Sequence, residues 1–407
     1  MSVSGAHGMN AARRRVAPSG FALFAYGFRP FFLLAALWAV VGVGLWVVAL
    51  HGHALPDGPL PMARWHAHEM IAGFVGGAIS GFLLTAVPNW TSRPGYAGAP
   101  LMLLVAVYAA ARLVLLPGSP VPPGLAAAIA LLPLPVLVLT VLPALVKANT
   151  PRLYGPPALV LAFWAGDVLM LGDAAGWWTD TFAAGQLLSL DIALALVGLI
   201  GGRIVPSFTI NALRRRGIPA TLNPLLPRID EAAMISLLAV VVVDLVAPGS
   251  LAAGLVAAVA AALVLLRLSR WHGLHTLGQP IVWVLHLAYL MIPAALAIKA
   301  LSLLTGAAWA ASWLHLQAIG PIALMILAVT TRATLGHTGR DIVAARPIVA
   351  AYLLVAVAAP TRLLAPLIWP GIGGYALAGT LWIAAFVLFL AVYAPILIRA
   401  RPDGKPG

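Results

Sequence analysis

Five consecutive residues, Trp65-His66-Ala67-His68-Glu69, bring two imidazoles and a carboxylate within reach of one another. Imidazole is a common metal ligand, and a carboxylate often orients a ligating imidazole through its other ring nitrogen. If the segment is helical, at about 100° per residue His66 and Glu69 share a face, while His68 lies roughly 200° round from His66. That face continues through Gly73, Gly77 and Gly81. Such a stripe either lets a flat macrocycle lie close to the backbone or packs two helices together. The chain has no cysteine, which excludes disulfides, thiolate metal sites and cysteine-ligated clusters. Any metal must be held by His, Met, Tyr or carboxylate.

The elements that position these residues follow from composition. Hydrophobic residues make up 62% of the chain and charged residues only 9%, too few charges to keep the surface of a soluble protein this long in water. The bilayer is the solvent that fits. A spanning helix needs about 20 apolar residues, and such runs lie near 31–50, 66–87, 100–116, 124–146, 157–175 and 183–204. Six more follow near 231–247, 250–266, 281–303, 309–331, 347–368 and 374–398. The expected fold is therefore all-α, a polytopic transmembrane bundle of about twelve helices. The chain divides into an N-terminal half at 1–204, a cytoplasmic linker at 205–230 carrying Arg214-Arg215-Arg216 and Asn223-Pro224, and a C-terminal half at 231–407. Before the first run, Met1 to Pro30 contains Arg13-Arg14-Arg15 but no short apolar stretch with a small-residue cleavage site, so the first helix is expected to stay in the membrane.

Lys and Arg accumulate in cytoplasmic loops. With both termini cytoplasmic, 20 of the 24 Lys and Arg fall on that side, leaving Arg64, Arg112, Lys299 and Arg362 toward the other. This accounts for the formal charge of +13 without a nucleic-acid partner. The same topology puts His66, His68, Glu69 and His315 at the outer ends of helices 2 and 10, together with the loop histidines His51 and His53. His272, His275, His286 and His337 lie at the inner side. An ionisable group within hydrocarbon is a functional candidate by default. His66 and His315, at one depth on two helices, are the expected metal ligands, with Glu69 orienting an imidazole. Arg332, Arg340 and His337 are expected to gather at the inner end of helix 10 as a structural or cofactor-supporting cluster. Asp167 and Asp191 either belong to a proton path or pair with outer basic residues.

Three stretches then read together. They are Trp65-His66-Ala67-His68-Glu69-Met70 leading into Gly81-Phe82-Leu83-Leu84-Thr85-Ala86-Val87-Pro88-Asn89-Trp90-Thr91; Gly201-Gly202-Arg203-Ile204-Val205-Pro206-Ser207-Phe208-Thr209 with Asn211; and Thr331-Arg332-Ala333-Thr334-Leu335-Gly336-His337-Thr338-Gly339-Arg340. With Tyr26-Gly27-Phe28-Arg29-Pro30, they resemble the NnrS family; Ile210 departs from the pattern, where a second polar residue beside Asn211 is more usual. The resemblance implies a bacterial cytoplasmic-membrane protein carrying haem and copper, associated with denitrification and with the binding, sensing or detoxification of nitric oxide. His66, His68, Glu69, His286, His315 and His337 match family positions. His66, His68, His286, His315, His337, Arg332 and Arg340 are the cofactor candidates, and His66, His68, Glu69 and His315 the metal candidates. The alternative is a twelve-helix metal or proton-coupled transporter, although the loop Asn89-Trp90-Thr91-Ser92-Arg93-Pro94 lacks the acidic-basic glycine signature of major facilitator proteins. A haem-copper oxidase is a third reading, but its consecutive His-His pair and its His-Pro-Glu motif are missing.

Overall fold

A computed structural model describes residues 22–53, 55–219, 221, 228–369 and 371–405. His7, the Arg13-Arg14-Arg15 cluster and linker residues 222–227, Asn223 and Pro224 among them, lie outside the described residues. Among these, the chain is helical with no strand. Ten helices are long and apolar enough to cross a membrane. They are α1 (Phe28–Leu50), α2 (Met62–Trp90), α4 (Pro123–Ala148), α5 (Gly155–Ala174), α6 (Phe182–Arg215), α8 (Leu251–Ser269), α9 (Pro280–Thr305), α10 (Ala308–His337), α11 (Arg346–Ile368) and α12 (Gly373–Ile398). Two further apolar helices complete the twelve, the shorter α3 (Ala99–Val114) and α7 (Ile229–Val246), which carries Asp230, Glu231 and Asp244. All twelve lie where the apolar runs predict them.

The pattern is what hydrocarbon demands. With no water to satisfy a bare N–H or C=O, a spanning segment must bond its own backbone, and the helix does so. Large apolar side chains such as Leu103, Leu139, Ile235 and Val242 remain exposed along helix faces, the surface a lipid would cover. The sixth helix continues to Arg215, through the first residues assigned to the linker. At about 1.5 Å per residue its 34 residues reach roughly 50 Å, well beyond the hydrocarbon core.

Two helices depart from α geometry at matching places. In α2 a π-helical turn covers Glu69–Val75, and in α10 another covers Ala318–Ala323. The second contains Pro321, which lacks an N–H and whose ring clashes with the preceding turn, so the ladder widens there. In the first, Tyr108 of α3 donates to the Gly73 carbonyl at 2.8 Å, supplying that oxygen with a partner from another helix.

The glycine stripe resolves in favour of packing. A Cβ on Gly73 would lie 2.4 Å from Trp38 Cδ1, one on Gly77 3.3 Å from Ala35 Cβ, and one on Gly81 2.6 Å from Phe32 Cδ1. All three of these neighbours belong to α1, and a Cβ on Gly77 would also lie 3.0 Å from the Tyr108 hydroxyl of α3, so the stripe admits neighbouring helices rather than a macrocycle. On its other flank α1 meets α12, where Trp382 donates to the Ala39 carbonyl at 2.9 Å. The Ala22 amide donates to the Ile398 carbonyl at 2.7 Å, so the described chain begins and ends on one side of the bundle.

Candidate functional site

α2 presents its two histidines to opposite environments. His68 is wholly buried, with Nδ1 2.8 Å from Glu69 Oε1 and Nε2 2.7 Å from Asp167 Oδ1 of α5. Both ring nitrogens thus face carboxylate oxygens, the arrangement of an imidazolium. Arg112 of α3 donates to both Glu69 oxygens at 2.8 Å, and the Trp38 indole donates to Oε2 at 2.6 Å. Two acids, one arginine and one protonated histidine sum to zero charge, the condition under which ions tolerate hydrocarbon.

Glu69 therefore turns to His68 and Arg112, not to His66, a difference from the shared face expected on the helical wheel. Its Cα lies about 60° from His66 and 100° from His68, so backbone position favours neither strongly. The arginine delivered by α3 decides. His68, with both nitrogens engaged, has no lone pair free for a metal in this arrangement.

His66 opens onto a cavity of about 250 Å³ between α1, α2, α6, α10, α11 and α12. Its ring stacks on Trp46, with centroids 4.9 Å apart, and its Nδ1 is buried without a hydrogen-bond partner. His315 of α10 lines the same cavity, as do Met70, one helical turn beyond His66, and Arg362 and Tyr375. Arg362 approaches His315 Nε2 at 3.3 Å and Ser312 Oγ at 3.4 Å, and lies 4.4 Å over the Tyr375 ring. No acid is paired with it among the described residues. A second, almost wholly apolar cavity of about 100 Å³ shares Val75 and Ile322 with the first, each residue sitting in one of the π-helical turns.

The other candidates stand apart. Thr209 Oγ1 lies 2.8 Å from the Val205 carbonyl and 2.7 Å from His286 Nε2, and His286 Nδ1 sits close against Gly273. Arg332 lies 3.8 Å over the Phe208 ring, with a buried Nη1 that has no partner. His337 stacks with Tyr26 and meets Phe28 at a tilt, and its carbonyl accepts from Arg401 at 2.7 Å. Arg340 reaches the Thr338 carbonyl at 3.4 Å. Arg332, His337 and Arg340 each turn to a different neighbour instead of converging. His51, His53 and His275 are exposed.

No group of three or more His, Asp or Glu side chains arranged to hold a metal is present among the described residues. What the cavity offers is two imidazoles and a thioether, ligands suited to haem iron or copper, and a guanidinium suited to an acid group on a ligand. Sequence reasoning missed Met70, although its i, i+4 spacing from His66 was visible. It also passed over Asp244 and Gln317, polar residues inside apolar runs.

A polytopic helical membrane protein with a paired-histidine cavity buried among its spans is the class that the fold and site define. The chain belongs to the NnrS family: the family model described as NnrS protein matches residues 22–401, nearly its whole length. No curated relative matches it.

Proposed function

We propose that this chain is a haem- and copper-carrying protein of the bacterial cytoplasmic membrane, with both termini cytoplasmic, that binds nitric oxide in response to it or in defence against it. The observation that carries the site is the cavity shared by His66 and His315, in which a buried imidazole nitrogen lacks any partner. His66 and His315 would hold the metal, Met70 is placed to add a thioether, and Arg362 would take an acid group such as a haem propionate. A bound haem or copper supplies the coordination position that nitric oxide takes up. Trp46, Phe74 and Trp382 line the cavity and would give the metal an apolar surround. Neutral nitric oxide dissolves in lipid, and the apolar cavity meeting the site at Val75 and Ile322 gives it an approach without a polar channel.

Absorption spectra of detergent-purified protein, with and without reductant and nitric oxide, test this reading. A Soret band that shifts with nitric oxide is expected in the wild type. His66→Ala and His315→Ala should lose the cofactor outright, while Glu69→Gln should retain some, since its carboxylate faces Arg112. Full metal occupancy in both histidine variants moves the site to His286 and His337. A colourless, metal-free preparation that is folded and active in uptake replaces the proposal with a transporter.

A further inference from the structure

Beside the histidine cavity, four polar side chains from four helices meet inside the bundle: Asp191 of α6, Asp244 of α7, Lys299 of α9 and Gln317 of α10. All are buried. Lys299 donates to Asp244 and lies 4.6 Å over the Trp313 ring, so one cation is matched to one anion. Gln317 Nε2 donates to Asp191 Oδ1 at 2.9 Å. Two oxygens are left over, Asp191 Oδ2 and Gln317 Oε1, both buried and both without a partner. They belong to the two residues that already share one hydrogen bond.

A single hydrogen on Asp191 Oδ2 resolves both. A carboxylic acid and a primary amide pair in a ring, the amide N–H meeting one carboxyl oxygen and the acid O–H meeting the amide oxygen. Charge leads to the same answer. If Asp191 were ionised, the cluster would hold two anions against one cation, and an excess charge in hydrocarbon is strongly disfavoured. The other charged groups near α6 are committed or distant: Asp167 of α5 and Glu69 of α2 to His68 and Arg112, Arg64 of α2 to Asp173, His286 of α9 to Thr209, Asp230 of α7 to Arg267 of α8, and Arg362 of α11 to His315, Ser312 and Tyr375, while Arg332 lies over Phe208, roughly 22 Å along α10 from Gln317. We infer that Asp191 is protonated and forms with Gln317 a proton-holding site within the membrane. Leu190, the neighbour of Asp191, is a wall of the histidine cavity, so the proton is kept next to that site. The inference needs no metal.

Infrared difference spectroscopy of the full chain in lipid bilayers at neutral pH tests it. Wild type minus Asp191→Asn should show loss of a protonated, hydrogen-bonded carboxyl C=O band that shifts down in heavy water. The asparagine amide donates where the acid O–H did, so the melting temperature of Asp191→Asn should match wild type, whereas Asp244→Asn should lower it by several degrees. Loss of carboxylate bands instead of an acid band overturns the inference, as does an Asp191 carboxylate signal that responds to exchanging sodium for potassium. If Asp191→Asn does not fold, Gln317→Ala decides, since freeing the acid must raise its C=O frequency; no acid band that moves is again the overturning result.

Discussion

His66 and His68 stand two residues apart on one helix and live in opposite circumstances. Around His68 both ring nitrogens and both Glu69 oxygens find partners, the charges cancel, and four helices are tied together through α1, α2, α3 and α5. Around His66 the packing is aromatic, one ring nitrogen is orphaned and an arginine without an acid looks on. What separates a fastening from an opening is therefore not the local motif but what distant helices deliver to it. Arg112 and Asp167 close one side, while the other receives a second histidine and Arg362, with Gln186 and Tyr375, beside the thioether of α2's own Met70.

The contrast can be broken most directly at Arg112. Arg112→Met leaves Glu69 ionised and without its cation inside the bundle, and the unfolding free energy is expected to fall by about 3 to 5 kcal/mol, measured by denaturant titration in mixed micelles. A variant as stable as wild type abolishes the distinction. Next comes Gly73→Ala, whose new methyl collides with Trp38 and so pushes on the indole that bonds Glu69; a loss of about 1 to 3 kcal/mol is expected. Tolerance of that methyl revives the reading of the stripe as a cradle. Asp167→Asn keeps the shape but removes the charge facing His68, costing about 1 to 2 kcal/mol in the same titration. His66→Ala should cost the metal-free protein less than Arg112→Met, because no hydrogen bond to its Nδ1 is lost.

The smallest effect lies at the exposed C-terminal tail. The Arg401 guanidinium, at 2.6 Å, holds the Asp403 carboxyl well below the usual carboxylate range. The sign follows from linkage: any stability from this pair is fully present above the unfolded value near 3.9 and is lost as pH falls toward the folded one. Asp403 is solvent-exposed, so Asp403→Asn should leave the melting temperature almost unchanged at neutral pH and only flatten its dependence below about pH 4.

Much of the fold was legible because hydropathy in a bilayer is nearly a direct record of span position. All twelve helices fall where apolar runs placed them, and His66 and His315 could be set at one depth by counting. Hydropathy does not report helix beyond the lipid, which is why α6 running on to Arg215 was not visible. Side-chain allegiance was the other blind spot. Glu69 sits between two histidines on the wheel, and its choice depends on an arginine 43 residues away in sequence. The π-helical turns likewise depend on tertiary partners, apart from the hint that Pro321 provided.

The seam between α1 and α12 bears on how the protein is made. Arg29, fully buried, donates to the carbonyls of Leu397 and Arg399 at 2.8 Å, so the first spanning helix carries the group that finishes the end of the last. During synthesis α1 leaves the ribosome with one flank unoccupied and waits for ten more helices before that flank is covered. Covering of that flank is thus deferred until α12 has been made. A chain cut before α12 lacks the Leu397 and Arg399 carbonyls that Arg29 reaches in the finished bundle.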